Sequence, residues 1–131
     1  AADFVRGKPG GLDEPVETAG RNFSGGQRQR LTIARALVPR PRVLILDDSS
    51  SALDFATDAA LRRALRQQTA GMTVVIVSQR AAAVQRADCI LVLDDGELVG
   101  CGAHAQLLES CPVYHEICLS QLSREEVQKT L

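Results

Sequence analysis

Aromatic residues are nearly absent: three phenylalanines, one tyrosine and no tryptophan among 131 residues. Any core must therefore be aliphatic, built from the Leu, Ile, Val and Ala that dominate a 45% hydrophobic composition. No charge of one sign prevails. Fifteen Lys and Arg stand against 16 Asp and Glu, for a net charge of −1, and this excludes the strongly basic surface that nucleic acid attracts. No apolar run approaches the length that spans a bilayer, and the N-terminus lacks a signal-peptide pattern. The cysteines, Cys89, Cys101, Cys111 and Cys118, fall in no metal-binding or redox spacing. They read as reduced core or surface thiols in a cytosolic setting. The length suits one ordinary domain. The opening Ala1-Ala2-Asp3-Phe4 has no initiator Met and no strand before the first glycine cluster, so the chain reads as a piece of something longer.

What is present concentrates in five residues, Phe23-Ser24-Gly25-Gly26-Gln27. Ser24 to Gln27 is Ser-x-x-Gln ahead of an apolar-periodic run, the capping-box pattern of a helix start. Two glycines in the first turn remove the side chains that would fence off the backbone N–H groups. A bare helix N-terminus, with free donors at the positive end of the dipole, binds anions and phosphates above all.

Along the chain, residues 7–22 are rich in Gly, Pro and charge and read as a loop. Leu31, Ile33, Ala34, Leu37 and Val38 form a helical stripe ended by Pro39 and Pro41. Val43-Leu44-Ile45-Leu46 reads as a strand buried on both faces, closed by Asp47-Asp48. A helix over 55–69 follows, with Arg62, Arg63 and Arg66 on its exposed face. Residues 73–78 read as a second buried strand, about 80–86 as a short helix, and Cys89 to Leu93 as a third strand. Asp94-Asp95-Gly96-Glu97 is a hairpin turn leading into Leu98-Val99-Gly100. Helices are expected at about 104–110 and 113–121, with His104 and His115 on the surface and a charged, frayed segment beyond Ser123. The alternation argues for an α/β sheet with right-handed crossovers. In such sheets ligands meet the carboxyl ends of the strands, where Asp47, Asp48, Ser78 and Gln79 fall. Adjacent carboxylates at a strand end suit a hard cation such as Mg²⁺, which keeps its other positions for water and phosphate. An ordinary solvated strand end accounts for Asp47-Asp48 about as well.

The run Phe23 to Arg30 resembles the signature motif of the ATP-binding cassette (ABC) family, which usually begins Leu-Ser-Gly-Gly-Gln. Val43 to Asp48 resembles its Walker B strand, Ser51-Ala52-Leu53-Asp54 its D-loop, and Val77-Ser78-Gln79-Arg80 falls at its switch-histidine loop. Order and spacing agree from about residue 10 to about residue 120, and the tail resembles the exporter branch. The resemblance implies the C-terminal half of a P-loop NTPase domain: an α/β fold with a mostly parallel sheet flanked by helices, part of the helical subdomain at the N-terminus and a late β-hairpin. Residues 1–24 would end the helical subdomain and carry the signature loop, 25–121 would be the C-terminal part of the ATPase core, and 122–131 a charged tail. It also implies ATP and Mg²⁺ as cofactors. A second cassette would be the partner, together with a membrane-spanning domain fused upstream, at the cytoplasmic side of the cell membrane. Phe23, Ser24, Gly25, Gly26, Gln27 and Asp54 would be the chain's nucleotide-binding residues, and of these Ser24, Gly25 and Gly26 would touch the γ-phosphate of an ATP held by the partner cassette. Asp47 would hold Mg²⁺, and Asp54 would lie at the dimer seam.

Three departures stand out. No Gly-x-x-x-x-Gly-Lys-Ser/Thr phosphate loop occurs; Gly7-Lys8 is followed by Pro9 and sits in a loop. Asp48 stands where the family has its catalytic Glu, and its carboxylate retracts by roughly 1 Å, a misplacement that can cost about 100-fold in rate. Gln79 stands where the family has its switch His; its amide can hydrogen-bond a phosphate oxygen but cannot carry a proton. The expectation is a degenerate site on this cassette and an intact signature offered to a different partner, as in a heterodimeric exporter. Alone, the chain is expected to bind ATP poorly and hydrolyse none. The alternatives are a soluble ABC ATPase acting on DNA or ribosomes, which should show a basic surface or inserted arms, and an inactive truncated cassette.

Overall fold

The computed structural model describes residues 1–49 and 52–129, with side chains described as far as Gln121. Ser51 of the expected D-loop, and the side chains of the charged segment beyond Ser123, lie outside the described residues. The chain folds as two compact units, Ala1–Val77 and Ser78–Leu131.

In the first unit a short helix α1 (Ala2–Arg6) is followed by two single 3-10 turns, Gly11–Asp13 and Thr18–Gly20. Helix α2 (Gly25–Leu37) leads to strand β1 (Val43–Asp47), helix α3 (Phe55–Gln68) and strand β2 (Thr73–Val77). The two strands pair in parallel, Val43 with Thr73 through Asp47 with Val77. Leu44 and Leu46 point inward and join Ile33 in a core extended by Leu37, Leu61, Leu65, Val74 and Ile76. The periodic stripes of the two helices thus cover one face of the strand pair.

The expectation of strands buried on both faces is corrected here. β1 alternates exposed and buried, with Val43 and Ile45 exposed, and β2 turns Val75 outward opposite Ile45 and Val77 outward opposite Asp47. A continuous aliphatic run marks a strand able to be covered twice; it does not supply the second cover. Arg62 is likewise not a plain surface residue. Asp58 is 2% exposed, and Arg62 one turn later meets its carboxylate at 3.0 Å, because an acid buried on a helix needs a cation within reach. Arg63 and Arg66 are exposed as expected.

The second unit holds helix α4 (Ala81–Val84), strands β3 (Ile90–Asp94) and β4 (Glu97–Gly102), and helices α5 (His104–Ser110) and α6 (Pro112–Lys129). The third strand expected from the sequence is present, and its ladder partner is β4, antiparallel. Asp95 and Gly96 both have positive φ, 46° and 82°, the two-residue turn that matches strand twist. The register slips between Val92 and Leu93, a bulge two residue pairs from the turn. Ile90 and Val92 face a core with Leu107, Cys111, Tyr114 and Cys118. Gly100 lets α5 and α6 approach: a Cβ there would meet Cys111 Sγ at 2.9 Å and Leu107 Cδ2 at 3.0 Å. His104 is not a surface histidine. It is half-buried, with Nδ1 2.8 Å from the Tyr114 hydroxyl and the two rings edge-to-face. His115 is exposed. Among the described residues no helix is long and apolar enough to cross a membrane.

Candidate functional site

The start of α2 forms as its sequence dictates. Ser24 is the N-cap: its Oγ accepts from the Gln27 N–H at 3.2 Å, and Gln27 Oε1 accepts from the Ser24 N–H at 3.0 Å. This reciprocal box occupies Ser24 and Gln27. It leaves the N–H groups of Gly25 and Gly26 as the first-turn donors it does not use. Ser24 is exposed, while Gly25 and Gly26 are half-buried. Phe23, one residue earlier, is 7% exposed. Its ring packs edge-on to Phe4 at 6.3 Å and lies 4.7 Å under Lys8 Nζ, which also donates to the Asn22 carbonyl. Phe23 therefore anchors the loop from beneath, and Gly25, Gly26 and Ser24 present the polar edge.

The second glycine has a reason that sequence reading missed. A Cβ on Gly26 would lie 3.0 Å from Leu53 Cδ2 and 3.2 Å from the Ala52 carbonyl oxygen. The signature helix and the Ala52-Leu53-Asp54 segment thus pack backbone against backbone, with Leu53 buried beneath. Asp54 ends that segment as the N-cap of α3. Its Oδ1 accepts from the Thr57 N–H at 2.9 Å and its Oδ2 from the Thr57 hydroxyl at 2.7 Å. The Thr57 N–H first, and the hydroxyl second, hold the Asp54 carboxyl below its usual range.

Asp47 and Asp48 emerge exposed at the carboxyl end of β1. Asp48 has φ 44°, the left-handed region that Asp enters more readily than most residues. Its N–H donates to the Val77 carbonyl at 3.0 Å, and its own carbonyl accepts from Gln29 Nε2 at 3.0 Å. Gln29, one turn into α2, thereby ties the signature helix to the backbone of the candidate catalytic carboxylate. Among the described residues no group of three or more His, Cys, Asp and Glu gathers to hold a metal. Two exposed carboxylates with the remaining positions left to water and phosphate fit Mg²⁺, which retains water and binds few protein ligands.

In the second unit Gln79 is exposed, two residues before α4. Gln121 of α6 brackets its backbone, donating through Nε2 to the Gln79 carbonyl at 2.6 Å and accepting through Oε1 from the Ala81 N–H at 2.8 Å. The Ser78 hydroxyl closes the turn by accepting from the Arg80 N–H at 3.0 Å. No sequence signal marks Gln121, which lies 42 residues from the carbonyl it holds. The first unit thus assembles Ser24 to Gln27, Asp47, Asp48 and Asp54 around one helix start and one strand end. Gln79 stands in the second unit on a turn of its own.

A capped, glycine-opened helix start packed on a carboxylate-terminated strand is the arrangement that the ABC resemblance implies for an α/β cassette. The family described as ABC transporter matches residues 6–51. An uncharacterised ABC transporter ATP-binding protein of Mycobacterium tuberculosis is 48% identical over 111 residues, 85% of this chain and 19% of that protein. An ATP-dependent lipid A-core flippase of Photobacterium profundum is 43% identical over 117 residues, 89% of this chain and 20% of its own length. A bacterial Atm1-family ABC exporter solved with ATP bound superposes with TM-score 0.87 at 36% identity, covering 92% of this chain and 21% of that one. The chain belongs to the ATP-binding cassette family and matches the ATP-binding part of its exporters. It spans about a fifth of the length of the relatives it matches.

Proposed function

We propose that this chain is part of the nucleotide-binding domain of an ABC exporter and that it serves mainly its partner's ATP. Its signature helix would complete an ATP site held by a second cassette, while the site on its own cassette is degenerate. The observation that carries this reading is that Asp48 and Gln79 stand in the sequence where the family has Glu and His, while the capping geometry of the signature helix is intact. The N–H groups of Gly25 and Gly26, at the positive end of α2, would receive γ-phosphate oxygens of the partner's nucleotide. Asp47 would hold Mg²⁺, whose charge would draw off electron density from the phosphates. Asp48, one methylene shorter than Glu, would polarise the attacking water only poorly, since a misplacement of roughly an ångström can cost about 100-fold. Gln79 can donate an N–H to a phosphate oxygen but brings no positive charge as bond breaking adds negative charge there. Asp54 would face the second cassette across the dimer seam.

In the parent protein the membrane-spanning domain would be fused upstream, with the cassette at the cytoplasmic face of the membrane. Residues 1–24 would close the helical subdomain, 25–121 would form the C-terminal part of the ATPase core, and 122–131 a charged tail. The flippase likeness and the exporter superposition support outward transport driven by ATP. The test is ATPase turnover of the full-length protein with and without a candidate partner cassette. The expected outcome is slow turnover alone and fast turnover in the mixed dimer, abolished by altering Gly26 in this subunit and little changed by Asp48→Asn. Fast turnover by this protein alone, lost on Asp48→Asn, would overturn the reading.

A further inference from the structure

Two of the cysteines that show no motif spacing meet on the hairpin of the second unit. Cys89 Sγ and Cys101 Sγ lie 3.7 Å apart, and both residues are exposed. The ladder explains why. Leu91 pairs with Cys101 and Ile90 with Gly102, so Cys89, one step before β3, stands diagonal to Cys101 on the same face. That face is the outward one: Leu91 and Leu93 on it are exposed, whereas Ile90 and Val92 on the other are in the core. The other two cysteines are buried there; Cys111 Sγ points at the Val99 carbonyl, and Cys118 lies beside Tyr114.

We infer that Cys89 and Cys101 form a redox-modifiable dithiol, which a low-molecular-weight disulfide such as oxidised glutathione converts to a single intramolecular cross-strand disulfide. The two sulfurs must close by about 1.7 Å to reach bonding distance. Diagonal neighbours on one face stand about 7–8 Å apart at Cα, beyond the roughly 4.4–6.8 Å that a disulfide spans, so closure needs rotation about χ1 and a backbone shift that draws the strand ends together. Both cysteines sit at the open end of the hairpin, away from the Asp95-Gly96 turn, where that shift disturbs the fewest ladder bonds. The reaction is thiol–disulfide exchange. A thiolate of the pair attacks one sulfur of the small disulfide; that S–S bond breaks, a mixed disulfide forms and one small thiolate leaves. The second cysteine gives up its proton and attacks the protein-side sulfur of the mixed disulfide, expelling the second small thiolate. The two protons released by the cysteines neutralise the two leaving thiolates, and the small disulfide is reduced by two electrons. Hydrogen bonding to Cys89, then repulsion from it, holds the Cys101 thiol above its usual range, as expected where two sulfurs share one proton.

The experiment treats the 131-residue chain with oxidised glutathione at neutral pH, alkylates remaining thiols after unfolding and digests with a glutamate-specific protease. Glu97, Glu109 and Glu116 separate the four cysteines into different peptides. The expected result is a fall from four thiols to two, with one cross-linked species joining the Cys89 and Cys101 peptides, restored by dithiothreitol. Cys89→Ser and Cys101→Ser are each expected to retain one glutathionyl group on the remaining cysteine. Glutathione on both Cys89 and Cys101 of the unaltered chain, a bridge involving Cys111 or Cys118, a bridge between two chains, or no reaction would overturn the inference.

Discussion

Gly25 and Gly26 are neighbours with opposite tolerances. A Cβ on Gly25 would lie 3.5 Å from Ala52 Cβ, an ordinary contact, whereas on Gly26 it would meet a backbone oxygen at 3.2 Å and Leu53 Cδ2 at 3.0 Å. Leu53 is buried, and backbone atoms do not yield as side-chain ends do. Gly25→Ala is expected to change stability by less than about 0.5 kcal/mol, and Gly26→Ala to destabilise by about 1–3 kcal/mol, read from urea unfolding. Equal effects would remove the packing explanation for the second glycine. Tyr114 offers a cleaner reading, because it is the only tyrosine and there is no tryptophan. Burial first, then the neighbouring Cys118, pushes its phenol from 10.0 up to about 12. The value is raised on folding, so this group's contribution is whole below pH 10 and is lost as pH climbs toward about 12. Tyrosinate absorbance is expected to rise near pH 12 in the native chain and near pH 10 in urea. A native midpoint near 10 would place the ring in solvent.

Helix α3 shows how one side chain sets an element's boundary. Asp54 sits where the family resemblance puts a seam residue, yet its two carboxylate oxygens are both engaged by Thr57, so it first of all starts a helix. Its folded value lies below the ordinary one, so the stability it contributes is present above the ordinary carboxylate range and is lost as pH falls through the folded value. Asparagine caps as well as aspartate but does not titrate here. The expected result for Asp54→Asn is a urea midpoint that falls less steeply than that of the unaltered chain below about pH 4. Identical profiles would show that the carboxylate charge contributes nothing. What was legible at this scale follows the same logic. The capping box at Ser24, the strand at Val43 and the Asp95-Gly96 turn are written in residues close together in sequence, where spacing and turn chemistry suffice. Gln29 on Asp48, Gln121 on Gln79 and His104 on Tyr114 join residues 19, 42 and 10 apart, and no local pattern announces them. The open N–H of Gly26 is legible from its place in the first turn, while its close contact with Leu53 needs the fold.

At the scale of the whole chain, periodicity told which residues are apolar but not which face would be covered. Parallel strands are ordinarily sheathed on both faces. Here Ile45 is 66% exposed and Val75, directly opposite it in register, is 44% exposed, while Leu44 and Leu46 between them are buried. Val43 and Val77 extend the same outward strip. Monomeric proteins rarely leave a contiguous apolar patch of more than a few hundred Å² in water, since each Å² left uncovered forgoes roughly 25 cal/mol. The isolated chain is therefore expected to associate as its concentration rises, with the β1–β2 outer face at the contact. Ile45→Thr with Val75→Thr keeps β-branched shape in both strands and leaves the core residues untouched. The double variant is expected to shift the onset of association, followed by light scattering, to higher concentration with little change in far-ultraviolet circular dichroism. Unchanged association would move the contact to another surface, and the outward strip of β1 and β2 would then be tolerated in water by this chain as it stands.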